Sequence, residues 1–277
     1  MKKGEMKKGF TLMELAVSIG LLAMIILFST VIFRVSIEAQ RVALADTEIM
    51  QKLRAITDQL NSDFAGLRRE AGIVVGFDVS GEVRTDSMTF VATGDFQSTG
   101  QYGSGPKTIL GNVASIFYGQ SSTPDPHATD PGDPRNDLEI RRKKILTRRQ
   151  TILTSDDSGD LVDDSDPRGE YYLYSLSEWV AAPPFSLTDP NDWIVRPALD
   201  VSDANDLVMY MAKGVDDFSI EIETGIGMDG IWDWWSTAGT GTYEGIPRAI
   251  KFSFTLYDSK GIIEKGKRFT HIVYLGD

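Results

Sequence analysis

The stretch from residue 7 to residue 33 reads KKGFTLMELAVSIGLLAMIILFSTVIF, and it decides how the rest of the chain is arranged. From Phe10 to Phe33 the only charged side chain is that of Glu14. As a helix this run is about 36 Å long, and the hydrocarbon core of a bilayer is about 30 Å thick. The run is therefore long enough to cross a membrane.

The residues on either side of this run predict its orientation. Four lysines and one acid precede it, namely Lys2, Lys3, Lys7, Lys8 and Glu5. A basic flank of this kind stays in the cytoplasm. After Phe33 the helical pattern continues, without the small residues that mark removal of a secretory signal. We expect a single-pass protein of the inner membrane, with its N-terminus in the cytoplasm and most of the chain outside.

The carboxylate of Glu14 needs an explanation, because a charge inside a span costs about 2.5–3.5 kcal/mol on insertion scales. Such a group has a partner or a purpose, and an N-terminal amine is a suitable partner. The alternative is an ordinary signal anchor in which the acid lies at the cytoplasmic edge and reaches the interface by snorkelling.

The segment KKGFTLMELAVSIGLL resembles the N-terminal signal of type IV prepilins and of the pseudopilins of type II secretion. This resemblance implies that a prepilin peptidase removes residues 1–9 by cleavage between Gly9 and Phe10, and that Phe10 is then N-methylated. Glu14 becomes the fifth residue of the mature protein, whose carboxylate the family uses in assembly. We expect Glu14 to pair with the Phe10 amine of a neighbouring subunit. Translation could start at Met1 or at Met6.

Beyond the span, apolar residues recur at steps of three and four, which predicts one apolar helix face. They are Val42, Ala45, Ile49, Leu53, Ile56, Leu60, Phe64 and Leu67. Neither glycine nor proline occurs from Leu21 to Ala65. The pattern predicts one long helix, with residues 10–33 in the membrane or filament core and residues 34–71 lying against a globular head. Gly66 and Gly72 are the predicted stops.

Residues 72–277 read as a head of short β-strands, so the fold class is α+β, with a pilin-like helix packed on an antiparallel sheet. The segment LEIRRKKILT is predicted as a strand, and Arg141 to Arg149 as its charged face. Segments 119–137 and 154–170 are predicted as mobile surface loops because they hold little to bury. With a net charge of -12, the chain is not expected to bind nucleic acid.

The loop 154–170 contains five weak candidates for calcium ligands. They are Asp156, Asp157, Asp160, Asp163 and Asp164. Their spacing does not match the EF-hand loop, so a solvated acidic loop without metal is the favoured interpretation. The chain has no cysteine, which excludes disulfides and thiolate sites. No other cofactor is expected.

A second resemblance lies near the C-terminus, where GVDDFSIEIE, GIWDWWS and GIPRAIKFSFTLYD are similar to the closing region of J-type minor pseudopilins. The matching positions are Gly214, Val215, Trp232, Trp235, Ile246, Pro247, Ala249 and Ile250. We expect Trp232 and Trp235 to pack on the head and Trp234 to contact a partner.

Together the resemblances imply a minor pseudopilin of a type II secretion system. In that family the J subunit joins I- and K-type minor pseudopilins at the tip of a periplasmic pseudopilus, above the major pseudopilin G. Prepilin peptidase and the inner-membrane assembly platform are further partners, and the filament pushes folded exoproteins through the outer membrane. The long head loops leave open a PilW-like minor pilin that primes type IV pili.

A protein of another class remains possible from the residues: a signal-anchored extracytoplasmic binding domain or enzyme. The chain has only two histidines, His127 and His271, and no P-loop or dinucleotide fingerprint. We therefore expect no enzymatic activity.

Overall fold

Helix α1 (Leu12–Ala65) is unbroken over 54 residues, as its sequence predicts. The computed structural model describes residues 11–80, 83–129, 134–155, 161, 169–173, 196–200, 206–226, 232–235 and 241–276. In this part of the chain the fold is α+β, with a second helix, α2 (Pro134–Lys143), and β-strands. The strands are β1 (Ile73–Phe77), β2 (Val79–Ser80), β3 (Val83–Arg84), β4 (Ser87–Gln97), β5 (Leu110–Gln120), β6 (Ile145–Thr154), β7 (Tyr171–Leu173), β8 (Tyr210–Lys213), β9 (Val215–Ile226), β10 (Trp232–Trp235), β11 (Gly241–Gly245), β12 (Ala249–Leu256) and β13 (Lys267–Tyr274).

The strands form two main sheets and one short hairpin. The larger sheet has the order β11-β1-β4-β5-β6-β7, and β8 also pairs with β6. The smaller sheet has the order β10-β9-β12-β13, and β2 pairs with β3. The predicted antiparallel arrangement holds for the other described pairs, but β6 and β7 run parallel. The larger sheet is therefore mixed.

One hydrophobic core joins α1 to both sheets. Helix residues Ile49, Ile56, Leu60 and Phe64 lie in it with side chains from β1, β4 and β5 of one sheet and from β9 and β12 of the other. The Phe64 ring stacks on that of Phe90, with centroids 4.5 Å apart. The predicted apolar face is thus confirmed from Ala45 onward, whereas Val42 is 41% exposed. The head therefore packs only against the last part of the helix.

Helix α1 ends at Ala65, so the predicted extension to residue 71 is wrong and the first predicted stop is right. Gly66 caps the helix, and its carbonyl accepts a hydrogen bond from the N–H of Thr93 at 2.7 Å. A Cβ added at Gly66 would lie 2.3 Å from the Thr93 carbonyl oxygen. At the end of the helix the chain therefore lies directly against the backbone of β4, and only glycine fits at this position.

Replacing Gly66 with alanine is expected to lower the free energy of unfolding by about 1–3 kcal/mol, the usual cost of forcing extra volume into a packed site. Chemical denaturation of the full chain in detergent, followed by tryptophan fluorescence, measures the loss. Gly105→Ala is the matched control, because a Cβ there meets nothing within 4 Å. Equal stability of the two variants would contradict this account of the helix end.

The segment before β6 differs most from the sequence prediction. Leu138 to Lys143 belong to α2 rather than to a strand, and β6 begins only at Ile145. Proline suits the first turn of a helix, and the Arg141 side chain pairs with Asp137 one turn earlier at 2.8 Å. The basic run is therefore divided between a helix and a strand, and does not form one charged strand face.

Helix α2 is fixed to the head by a buried ion pair. The Lys144 ammonium is fully buried and lies 2.7 Å from the Asp216 carboxylate, which also accepts from Arg141 at 2.8 Å. Asp216 follows Val215, the first residue of β9, and Gly214 before it has a φ of 78°. Gly214 and Val215, two of the positions matched to the C-terminal motif, thus stand at the start of this strand.

The predicted loop 119–137 is also more structured than expected. Its first residues, Gly119 and Gln120, belong to β5, and its last residues begin α2. Between them, His127 lies 2.9 Å from Asp78 and 3.2 Å from the Thr85 hydroxyl. Polar contacts to Asp78 and Thr85, the residues on either side of the β2–β3 hairpin, thus link this segment to the head, and Pro126 beside His127 is buried.

Candidate functional site

The start of α1 carries a capping box that includes Glu14. Thr11 is the N-cap, and its hydroxyl accepts a hydrogen bond from the Glu14 N–H at 3.3 Å. In return, one carboxylate oxygen of Glu14 accepts from the N–H and from the hydroxyl of Thr11, each at 2.9 Å. This reciprocal arrangement satisfies donors that a helix N-terminus leaves without intrahelical partners.

The carboxylate of Glu14 thus has a partner within its own chain, Thr11, which the sequence analysis missed. The signal was readable, because Thr-x-x-Glu before an apolar run is the capping-box pattern. Gly9 and Phe10, the predicted cleavage and methylation sites, lie outside the described residues. The pairing of Glu14 with a neighbour's amine stays a prediction.

The first part of α1 presents a continuous apolar surface. Its most apolar 18-residue window has a mean hydropathy of 2.6, and none of that window is buried. Among the described residues, α1 is the one helix long and apolar enough to cross a membrane. Apolar side chains beyond Phe33, such as Ile37 and Leu44, are also exposed, at 50% and 61%. The helix offers an uncovered face both along the span and between the span and the head.

The head is attached to the other end of α1 by a buried polar cluster around Asp63. Arg148 of β6 donates two hydrogen bonds to the Asp63 carboxylate, at 2.6 and 2.8 Å. The Tyr118 hydroxyl donates a short hydrogen bond to the same carboxylate, and Gln59 adds a fourth donor. Burial and the Asp63 charge raise the pKa of Tyr118, so the phenol stays protonated and remains a donor. We call these four residues the helix–head clamp.

Sequence reasoning did not find the helix–head clamp. Asp63 falls within the apolar face between Leu60 and Phe64, and an acid on a face that is otherwise buried is the available signal. Its buried partners from the head, Tyr118 and Arg148, lie 55 and 85 residues further along the chain. No local pattern links such distant positions, so only the fold reveals the cluster.

The tryptophan-rich segment lies on β10, at the edge of the described part of the smaller sheet. In its ladder with β9, Trp234 is opposite Glu223 and Trp235 is opposite Ile222, with a bulge after Asp233. The side chains of β10 lie outside the described part. The packing predicted for Trp232 and Trp235, and the contact predicted for Trp234, stay predictions.

The calcium candidates Asp156, Asp157, Asp160, Asp163 and Asp164 lie outside the described residues. Within the ranges that are described, no group of three or more histidine or acidic side chains is placed to hold a metal ion.

The two histidines occupy separate sites in the fold. His127 contacts Asp78, and the His271 ring lies 2.9 Å from the Asn61 side chain of α1, where burial lowers the pKa of His271. In the described contacts His127 joins its loop to Asp78 and Thr85, and His271 joins β13 to α1.

Comparison with known proteins leaves the question of family open. No family model matches the chain, and neither the curated proteins nor the solved structures contain a match. The residues and geometry described above are therefore the basis for any functional proposal.

Proposed function

We propose that the chain is the precursor of a filament subunit, a minor pseudopilin of the J type in a type II secretion system. The observation that carries this proposal is the division of α1 into two parts. Its first part is apolar and exposed, whereas its last turns lie in the core of a β-rich head. The segment KKGFTLME, which resembles a prepilin signal, stands directly before and at the start of that helix.

The uncovered helix suits a protein that moves between two apolar environments. In the membrane, lipid covers the face formed by residues 12–33, and in a filament neighbouring helices cover it. Exposed apolar side chains in water are unfavourable by about 25 cal/mol per Å² of surface, so such a long face requires a cover. A signal anchor would need an apolar surface only as far as the end of the span. In α1, exposed apolar residues continue to Leu44.

The helix–head clamp supports a mechanical role. A subunit at the tip of a filament must keep its head in a fixed orientation on its helix while other subunits are added below. Asp63 and Arg148 form a bidentate ion pair in a mostly buried position, which fixes geometry more strictly than apolar contacts do. Helix and head therefore move as one body.

The proposal places the chain in the inner membrane as a precursor, with its head in the periplasm, and at the pseudopilus tip after assembly. Its partners are I- and K-type minor pseudopilins, the major pseudopilin G, prepilin peptidase and the assembly platform. It acts by initiating the filament that pushes folded exoproteins through the outer membrane, with no chemistry of its own. Trp234 is the proposed contact residue of the head.

A PilW-like minor pilin is the second candidate, and the size of the head favours it. In the described part of the head the larger sheet alone has seven strands, and a smaller sheet is added to it. Deletion of the gene separates the two functions, because loss of extracellular enzyme release supports the secretion system and loss of surface pili supports the pilus.

The decisive experiment is the intact mass and N-terminal sequence of the protein from cells with and without a prepilin peptidase. The proposal expects an N-methyl-Phe10 terminus only where the peptidase is present. A chain that keeps its lysine leader in both strains would contradict it and support a signal-anchored protein of another class.

Replacing Glu14 with alanine is expected to leave membrane insertion and cleavage intact but to weaken assembly. Loss of a charged hydrogen-bonded pair costs about 1.5–3 kcal/mol, which is about tenfold or more in the recovery of partner subunits. Co-purification of tagged I- and K-type subunits measures this.

Two matched variants locate the effect of Glu14. Thr11→Val removes the intrachain hydroxyl partner but keeps the carboxylate, so we expect a smaller loss. Glu38→Ala removes an exposed acid further along the same helix and should change nothing. Partner recovery unaffected by Glu14→Ala would contradict the proposed pairing.

A further inference from the structure

A cavity of about 690 Å³ opens on the larger sheet, away from the helix start and from β10. It lies between the loop that follows β4, the β6 segment Arg148–Gln150, Glu170 and the turn Asp206–Met209. Small-molecule sites in proteins have volumes of about 300–1,000 Å³, so its size is that of a binding pocket.

One wall of the cavity is built by Glu170. Its carboxylate accepts hydrogen bonds from the N–H groups of Thr99 and Gly100, at 3.1 and 2.8 Å, and from the Tyr102 hydroxyl at 2.8 Å. These contacts hold the loop that follows β4 in one shape. They also satisfy the carboxylate charge with three donors, so the wall does not require a cation.

The floor of the cavity is also polar, and the positive charge of Arg148 there is balanced by Asp63. Arg148 already pairs with Asp63, and its remaining amino group donates to the side-chain amide oxygen of Gln150 at 3.3 Å. The Gln150 amide nitrogen donates to the Gln97 carbonyl at 3.4 Å. Both contacts of Gln150 are long, so its amide can exchange them for shorter bonds to a ligand.

The remaining surfaces combine hydroxyls with apolar groups. Thr99 and Thr108 are exposed at the rim, and Val208 and Met209 of the facing turn add apolar surface.

Two more charged residues line the cavity. Arg149 is buried with its guanidinium over the Phe117 ring, and the Asp206 carboxylate accepts a hydrogen bond from the Asp200 N–H at 2.8 Å. The charged groups of the lining are thus engaged within the protein, which disfavours an ionic ligand, and a purely apolar ligand would leave amide and hydroxyl groups without partners. A ligand with hydroxyl groups and an apolar ring face matches both kinds of surface.

We propose that this cavity binds a neutral saccharide. Gln150 and the two threonines exchange hydrogen bonds with its hydroxyl groups, while Val208 and Met209 pack against its carbon–hydrogen face. This inference does not depend on the proposed assembly role, because it concerns a face of the head remote from the helix start.

The test is isothermal titration calorimetry of the full chain in lauryldimethylamine oxide, a detergent without a sugar headgroup. Triacetylchitotriose, maltotriose and cellotriose are the probes. We expect at least one to bind with a dissociation constant of about 1 mM or tighter. Gln150→Met keeps the length of the side chain but removes its amide, and it should weaken binding about tenfold. Thr108→Val, at the rim, should weaken it less.

Gln51→Met is the control, since it makes the same change at an exposed position on α1, outside the cavity. Thermal melts of each variant show whether the head is folded. Weaker binding in a folded Gln150→Met or Thr108→Val chain supports the site. Unchanged binding in both, an equal loss in Gln51→Met, or no binding of any probe by the unsubstituted chain would overturn the proposal.

Discussion

Replacing Asp63 with alanine is expected to lower the free energy of unfolding by about 3–5 kcal/mol, because removal of one partner of a buried ion pair leaves the other charge uncompensated. Asp63 is 6% exposed, and Arg148, which would be left without its main partner, has a side chain that is 19% exposed. The Tyr118 hydroxyl, buried beside them, would lose its acceptor as well.

Chemical denaturation of the full chain in detergent measures this change. Asp58→Ala is the matched control, because Asp58 is an exposed acid on the same helix, and its loss should change the free energy of unfolding by less than about 0.5 kcal/mol. Asp63→Asn keeps the shape and one acceptor but not the charge, so its effect should fall between the two. A chain with Asp63→Ala that unfolds at the same denaturant concentration as the Asp58→Ala control would refute the clamp.

The consequence for the proposed function follows from where the clamp lies. It connects the end of α1 to β5 and β6, two inner strands of the larger sheet. A chain weakened there would still carry its leader and its span. We therefore expect normal insertion and cleavage of Asp63→Ala but reduced recovery with partner subunits, which separates this defect from one at the N-terminus.

Local patterns were sufficient to predict most of the secondary structure. The spacing of Ile49, Ile56 and Leu60 predicted the buried helix face, because it repeats within a few turns. The strand β12 is likewise readable from a local pattern, because apolar residues alternate along it, and its Phe252 and Phe254 lie in the core. Gly66 was readable as a stop because a glycine follows the last apolar positions of the helix.

The errors arose where contacts between distant residues decide the structure. Helix α2 has a weak helical pattern, and it is fixed by the pairing of Arg141 and Lys144 with Asp216, more than 70 residues away. The parallel pairing of β7 with β6 brings Tyr171 beside Ile152, and no local motif signals it. The cavity beside Glu170 likewise brings together residues from separate loops.

The largest effect on processing is expected at Gly9. Replacing Gly9 with valine should leave essentially all of the protein as uncleaved precursor in the membrane. The resemblance implies that the peptidase cleaves after this residue, and glycine lets the backbone approach a catalytic site more closely than any other residue does. A branched side chain beside the scissile bond would prevent that approach. Intact mass measures the outcome directly, because removal of the leader lowers the mass by that of nine residues at most.

Gly4→Val is the matched control for this substitution. It makes the same change within the same leader, five positions before the predicted cleavage site. We expect normal processing of Gly4→Val, and its precursor mass also shows whether translation starts at Met1 or at Met6, since the second start excludes residue 4. Cleavage of both variants would mean that Gly9 is not the processing site. Glu14 would then act only as part of the capping box of α1, through its hydrogen bonds with Thr11. The function would have to lie in the head.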